Sequence, residues 1–117
     1  MYIFFINGNI INEIFNSRKE DTYMIIDDTL TVGIPKLYEQ EGKDIESMVY
    51  LKLYSVTGWK WYITEFDKED TFFAYVCGFE NEWGYCSLTE LNELCNKGLV
   101  LVDNSFKPCP LKDALEV

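Results

Sequence analysis

The residues with the most chemistry to offer are carboxylates gathered near two chain reversals. Glu65, Asp67, Glu69 and Asp70 form one group, and Glu80 and Glu82 follow on the next connection. Carboxylates so spaced suit three kinds of chemistry: acid–base catalysis, calcium ligation, or a phosphate-like surface offered to a basic partner. Catalysis is hard to complete. The chain has no histidine, the side chain whose ordinary titration falls near neutral pH. It has no Gly-rich phosphate loop. Paired-carboxylate glycosidase work needs a deep sugar cleft, which nothing in so short a chain signals. Calcium ligation fails on Asp67-x-Glu69-Asp70, because an EF-hand loop needs a glycine at its sixth position and a distant Glu. The docking surface remains, against the plain alternative that turns are acidic because they are wet.

Net charge points the same way. Twenty acidic residues stand against ten basic ones, giving −10 over 117 residues. Phosphate backbones are bound through Lys and Arg that displace counterions, so such a chain is expected to avoid nucleic acid. The anionic cytoplasmic leaflet repels it too, while basic proteins attract it. Solubility alone is the competing explanation for the acidity. Cys77, Cys86, Cys95 and Cys109 contain no C-x-x-C pair, and without histidine there is no mixed zinc set. They read as reduced thiols of a cytoplasmic protein, with no metal and no cofactor expected.

The elements that must position these groups belong to a single α+β domain with an antiparallel sheet. Tyr2–Ile6 reads as a strand, Asn7-Gly8 as a hairpin turn, Asn9–Phe15 as the returning strand or a helical face, and Arg18–Asp21 as a charged turn. The apolar start is too short, and lacks the basic flank, to be a signal peptide or a span. Tyr23–Ile26 reads as a further short strand, and Asp28 as the cap of a short helix or turn ending before Pro35. Glu39–Glu46 reads as an exposed acidic loop. Val49–Val56, Trp59–Phe66 and Phe72–Phe79 form a three-stranded meander. Strict alternation along the second strand puts Trp59, Trp61 and Ile63 on one face and Tyr62, Thr64 and Phe66 on the other. Ser87-Leu88-Thr89-Glu90 is a capping box opening a helix over 88–96, which Gly98 closes. Leu99–Val102 is a buried strand, and Leu111–Leu115 a last helical turn. Trp83 falls in the connection between strand and helix, where a large ring packs locally or meets a partner.

Pro35-Lys36-Leu37-Tyr38, Lys52-Leu53-Tyr54, Trp61-Tyr62-Ile63-Thr64-Glu65-Phe66, Glu82-Trp83-Gly84-Tyr85-Cys86-Ser87-Leu88 and Phe106-Lys107-Pro108 together resemble a family of small bacterial proteins, the domain of unknown function DUF2958. The resemblance covers residues 35–117, with 1–34 as a strand-rich addition. The family's Ile-Glu-Arg-Asp segment is replaced here by Val100-Leu101-Val102-Asp103. The resemblance implies a setting on plasmids, phages and integrative elements. With the charge, it leads to the expectation of a non-catalytic inhibitor of a restriction or CRISPR nuclease. Glu65, Asp67, Glu69, Asp70, Glu80, Glu82 and Trp83 are its expected partner contacts. The alternatives are a regulatory interaction protein of a mobile element and a small carboxylate-dependent enzyme. An open sheet edge would permit a homodimer.

Overall fold

A computed structural model describes residues 24–116 of the chain. The readings of Tyr2–Ile6, Asn7-Gly8, Asn9–Phe15 and Arg18–Asp21 lie outside the described residues. A short helix α1 (Asp28–Thr31) precedes a 3-10 turn (Asp44–Glu46) and the strands β1 (Met48–Val49), β2 (Leu51–Ser55), β3 (Lys60–Phe66), β4 (Thr71–Cys77) and β5 (Asn81–Ser87). Helix α2 (Leu88–Asn96), strand β6 (Val100–Val102), strand β7 (Cys109–Pro110) and helix α3 (Leu111–Ala114) complete it. Five strands form one sheet in the order β5-β4-β3-β2-β6, and β1 pairs with β7 in a separate ribbon. Every pairing is antiparallel.

The expected meander is thus longer by one strand. Glu82 and Trp83, expected in a connection, belong to β5, which pairs along its whole length with β4, from Cys77 opposite Asn81 to Thr71 opposite Ser87. Gly84 and the polar Asn81 and Glu82 disguise the strand, yet its register puts Gly84 directly across from Ala74. Met24–Ile26 is not a strand. Its main chain bonds to a side chain instead: the Ile26 N–H donates to Asn92 Oδ1 at 2.7 Å, and Asn92 Nδ2 donates to the Ile26 carbonyl at 3.2 Å. The cap of α1 is Asp27 rather than Asp28, its carboxylate accepting from the Thr29 N–H.

One face of the sheet carries the main core. Leu53, Trp61, Ile63, Phe72, Ala74 and Val76 pack against Leu91 and Leu94 of α2, with Ile26 and Ile34 closing the margin. Burial of such apolar surface supplies most of the folding drive, at about 25 cal/mol per Å². Helix α2 is well anchored at its N-terminus. Leu88 N–H donates to the Asp70 carbonyl at 2.7 Å, Thr89 N–H to Asp70 Oδ1 at 2.8 Å, and Glu90 N–H to Ser87 Oγ at 3.1 Å. The orphan donors of the first turn are met by both the helix's own cap and the β3–β4 turn. The other sheet face is covered only in part. There Tyr62, Tyr75 and Cys77 meet Val49, Leu111 and Ala114 from the ribbon and α3.

Strict alternation fails in β3. The register runs Ile63 opposite Ala74, then Glu65 opposite Phe73 and Phe66 opposite Phe72, so Thr64 is the extra residue of a β-bulge. A one-residue slip exchanges the faces of everything after it. Phe66 therefore joins Trp61 and Ile63 in the main core, not Tyr62 as alternation predicts. Glu65, which alternation would place in that core, turns to the face of Phe73.

Gly78 ends β4 directly against the Trp59 ring. A Cβ there would sit 2.6 Å from ring carbons of Trp59, and Trp59 is itself held by an edge-on Phe79 at 5.3 Å. Gly78→Ala is expected to lower the urea midpoint by the equivalent of about 1–3 kcal/mol, the usual range for overpacking a filled site. An unchanged midpoint would show that the Trp59 ring moves aside freely.

Candidate functional site

The half-covered sheet face leaves a cleft of about 400 Å³. Its floor and one wall come from the sheet: Thr64 and Glu65 of β3, Phe73 of β4, and Trp83 and Tyr85 of β5. Its other wall is the loop carrying Tyr38, Gln40, Glu41, Gly42 and Asp44. The period-two spacing of Trp83 and Tyr85 puts both rings on the same side of β5. Phe73 and Trp83 stack at 5.2 Å between centroids and 6° between planes. Tyr85 lies 5.1 Å from Phe73, and Tyr75 meets Trp83 edge-on at 5.3 Å.

The loop is held by Glu65, which is only 4% exposed. Its Oε1 accepts from the Tyr38 N–H at 2.8 Å and its Oε2 from the Gln40 N–H at 2.7 Å. Gln40 extends the network inward. Its Nε2 donates to the Met48 and Thr64 carbonyls at 2.9 and 3.0 Å, and its Oε1 accepts from the Met48 N–H at 2.7 Å. Hydrogen bonds to a carboxylate are about twice as strong as neutral ones. They hold Tyr38 in a left-handed backbone conformation, φ 74°, which costs a non-glycine residue of order 1 kcal/mol or more. Gly42 and Asp44 on the same rim also have positive φ. The Tyr38 ring is exposed, and its hydroxyl lies 3.4 Å from that of Tyr85. That hydroxyl pair pushes the Tyr85 phenol above its ordinary pKa, with burial and the charges of Glu65 and Glu41 adding to the effect. Glu41, Asp44 and Glu65 make the lining of the cleft acidic.

The expected contact residues divide among different roles. Glu65 is not at a tip; the bulge carries it beneath the cleft. Trp83 is not in a connection; it stands on β5, partly buried. Asp67 folds over its own turn, with Oδ1 accepting from the N–H groups of Glu69, Asp70 and Thr71 at 2.8–2.9 Å. Asp70 accepts from Ser87 Oγ and from both the amide and hydroxyl of Thr89. Glu69, Glu80 and Glu82 are exposed, the first in the β3–β4 turn, the second in the β4–β5 turn and the third on the edge strand. Thus only Glu65 and Trp83 of the expected set meet in the cleft. Tyr38, Gln40, Glu41, Asp44, Phe73 and Tyr85 were missed. The alternation of Phe73 with Tyr75 and of Trp83 with Tyr85 was the available signal for the aromatic wall.

The cysteines divide between the two apolar clusters. Cys86 and Cys95 lie in the main core and Cys77 and Cys109 in the smaller one. Burial pushes the thiols of Cys86 and Cys95 up to about 12, away from the thiolate that metals and electrophiles need. Among the described residues no group of three or more potential metal ligands comes together, and no helix there is long and apolar enough to cross a membrane.

No protein-family model matches this chain, and no curated protein or solved structure is detectably similar to it.

Two predictions follow from the acids. Glu65→Gln replaces one acceptor by a donor that confronts the Tyr38 or Gln40 amide, so stability should fall by about 1–3 kcal/mol, the cost of a buried group left unsatisfied; loss below ~0.5 kcal/mol in chemical denaturation would remove Glu65 as the loop's anchor. The pH dependence should have two components. The Thr71 amide, foremost, and those of Glu69 and Asp70 hold the Asp67 carboxyl below its ordinary 3.8. Its contribution is therefore complete above that value and is lost as pH falls through the lower, folded value. Burial, then the Asp70 and Glu93 charges, raise Glu90 above 4.5, so ionising Glu90 costs stability as pH rises past that value. Thermal melts should show Asp67→Asn losing part of the acid limb and Glu90→Gln gaining stability at neutral pH; the reverse order would contradict these assignments.

Proposed function

We propose that this protein is a non-catalytic acidic module that docks on a basic, nucleic-acid-handling protein, with the contact centred on the cleft. The observation that carries the reading is the cleft's composition: four aromatic rings, acidic Glu41, Asp44 and Glu65, and no Lys or Arg in its lining. Trp and Tyr at the centre of a partly desolvated hollow are the residue types that dominate binding energy. The surrounding charge of −10 would steer a cationic surface toward it and set a steep salt dependence. The same charge opposes phosphate, although aromatic shelves alone could stack bases. The turns at Glu69 and Glu80 then contribute long-range attraction rather than fixed contacts.

The kind of partner is proposed from the sequence motifs of residues 35–117 that resemble DUF2958, although no family model matches the chain. A protein carried by mobile elements gains most from blocking the nucleases that attack them, and a restriction or CRISPR nuclease presents a basic channel for DNA. Anti-defence inhibition is accordingly the first activity to assay. A regulatory contact through β5 is the second reading, supported by its place at the edge of the sheet, where an added strand could pair.

The test is inhibition of DNA cleavage by a panel of purified restriction nucleases and guide-loaded CRISPR effectors, with affinity measured from 50 to 300 mM salt. An inhibited enzyme is expected whose affinity falls with salt. Trp83→Ala and the pair Glu41→Lys with Asp44→Lys should each weaken it by about 10-fold or more, or ~1.4 kcal/mol. Glu69→Lys and Glu80→Lys should act chiefly on the association rate. Tyr38→Gly should weaken binding while leaving stability equal or up to ~1 kcal/mol higher, since glycine relieves the left-handed strain. Inhibition by the cleft variants at wild-type potency would overturn the reading, as would tight binding of the protein to DNA itself.

A further inference from the structure

The chemistry of the cleft narrows the kind of residue it receives. Its sheet side carries a stack of parallel rings, Phe73 and Trp83 at 5.2 Å and 6°, and the Tyr38 hydroxyl on the loop side lies 3.4 Å from that of Tyr85 on the sheet side. Its carboxylates are not equivalent. Both oxygens of Glu65 are engaged by the Tyr38 and Gln40 amides, whereas Glu41 and Asp44 are exposed on the rim. The rim backbone that presents Asp44 is fixed in positive φ, at 51°. A ligand for this hollow therefore needs a planar apolar face for the rings and in-plane donors for carboxylates at the mouth.

We propose that the cleft is a receptor for one arginine side chain of the protein partner, its guanidinium lying against the aromatic wall and donating to Glu41 and Asp44. This rests on the docking reading above. Arginine meets both requirements at once. Its guanidinium is planar, stacks on aromatic faces, is weakly hydrated and carries five N–H donors in one plane. Lysine offers a compact, strongly hydrated charge with no flat face, and so meets the carboxylates but gains only a weaker cation–π contact with the rings. A nucleobase exploits the stack but brings phosphates into a negative field. The volume of about 400 Å³ lies toward the small end of ligand pockets, consistent with one side chain and its flanking backbone rather than a long segment.

The probes are N-acetyl-arginine amide, N-acetyl-lysine amide and N-acetyl-citrulline amide, titrated into the full chain and read by the indole N–H and ring resonances of Trp83 and Tyr85. Citrulline keeps the plane and loses the charge. Arginine amide is expected to saturate in the millimolar range and shift Trp83 and Tyr85, with lysine amide at least 5-fold weaker and citrulline amide at least 10-fold weaker. Trp83→Leu should abolish the shift at Tyr85, and Glu41→Gln with Asp44→Asn should weaken arginine at least 5-fold without altering the thermal midpoint. Equal response to lysine or to citrulline, or arginine shifts that miss Trp83 and Tyr85, would overturn the assignment. If arginine gives no response while cleft substitutions still release a nuclease, the arginine assignment falls and docking stands. If arginine binds as expected but a bound nuclease ignores the same substitutions, docking through the cleft falls instead.

Discussion

A buried carboxylate bonded to main-chain amides is the constraint from which the cleft follows. Glu65 is almost fully buried, and burial of an ionised group is costly unless hydrogen bonds replace water. Its two oxygens are satisfied by the Tyr38 and Gln40 amides, which belong to a loop 25 and 27 residues earlier in the chain. Each side needs the other. Without the loop the carboxylate would lie against apolar rings with nothing to accept. Without the carboxylate the loop would lose the bonds that hold Tyr38 at a positive φ and seat Gln40 among the carbonyls of Met48 and Thr64.

The bulge at Thr64 makes this possible, and it does two jobs with one residue. It removes a charge from the main core and supplies Phe66 there, where that ring packs 4.7 Å from Phe72. It also delivers Glu65 to the open face opposite Phe73. Bulges commonly re-aim side chains next to functional sites. The Thr64 hydroxyl ties the irregularity to the neighbouring strand by donating to the Phe73 carbonyl at 3.0 Å.

What the sequence made legible was whatever depends on neighbours in the chain. The α2 boundaries came from Ser87, Glu90 and the leucine spacing, because capping and amphipathic periodicity are local. The chain reversal at Asp67 came from local chemistry too. The strand β5 did not, because glycine and polar residues at an edge match a connection as well as a strand, and only pairing with β4 decides. The site was least legible. Acidic residues near Asp67 and Asp70 suggested a docking tip, but their oxygens are largely occupied by the turn and by the first turn of α2. A single inserted residue in β3 reversed the predicted faces of Glu65 and Phe66, and no pattern of residue types announces such an insertion.

Trp83 explains why the cleft is more than a gap left by incomplete covering. It lines the cleft and also packs on the smaller apolar cluster with Tyr62, Leu111 and Ala114. Those residues are positioned by the β1–β7 ribbon, whose register sets Val49 against Cys109, and by the Leu111 N–H donating to the Ser47 carbonyl at 2.8 Å. The aromatic wall is thus supported from behind by the end of the chain and faced in front by the loop that Glu65 holds. Both supports converge on the segment 47–49, since Met48 is bonded to Gln40 on the loop side and paired with Pro110 on the ribbon side. A wall fixed from two directions loses little freedom when a ligand stacks on it, and small entropic losses are what allow a shallow aromatic hollow to bind a single side chain usefully.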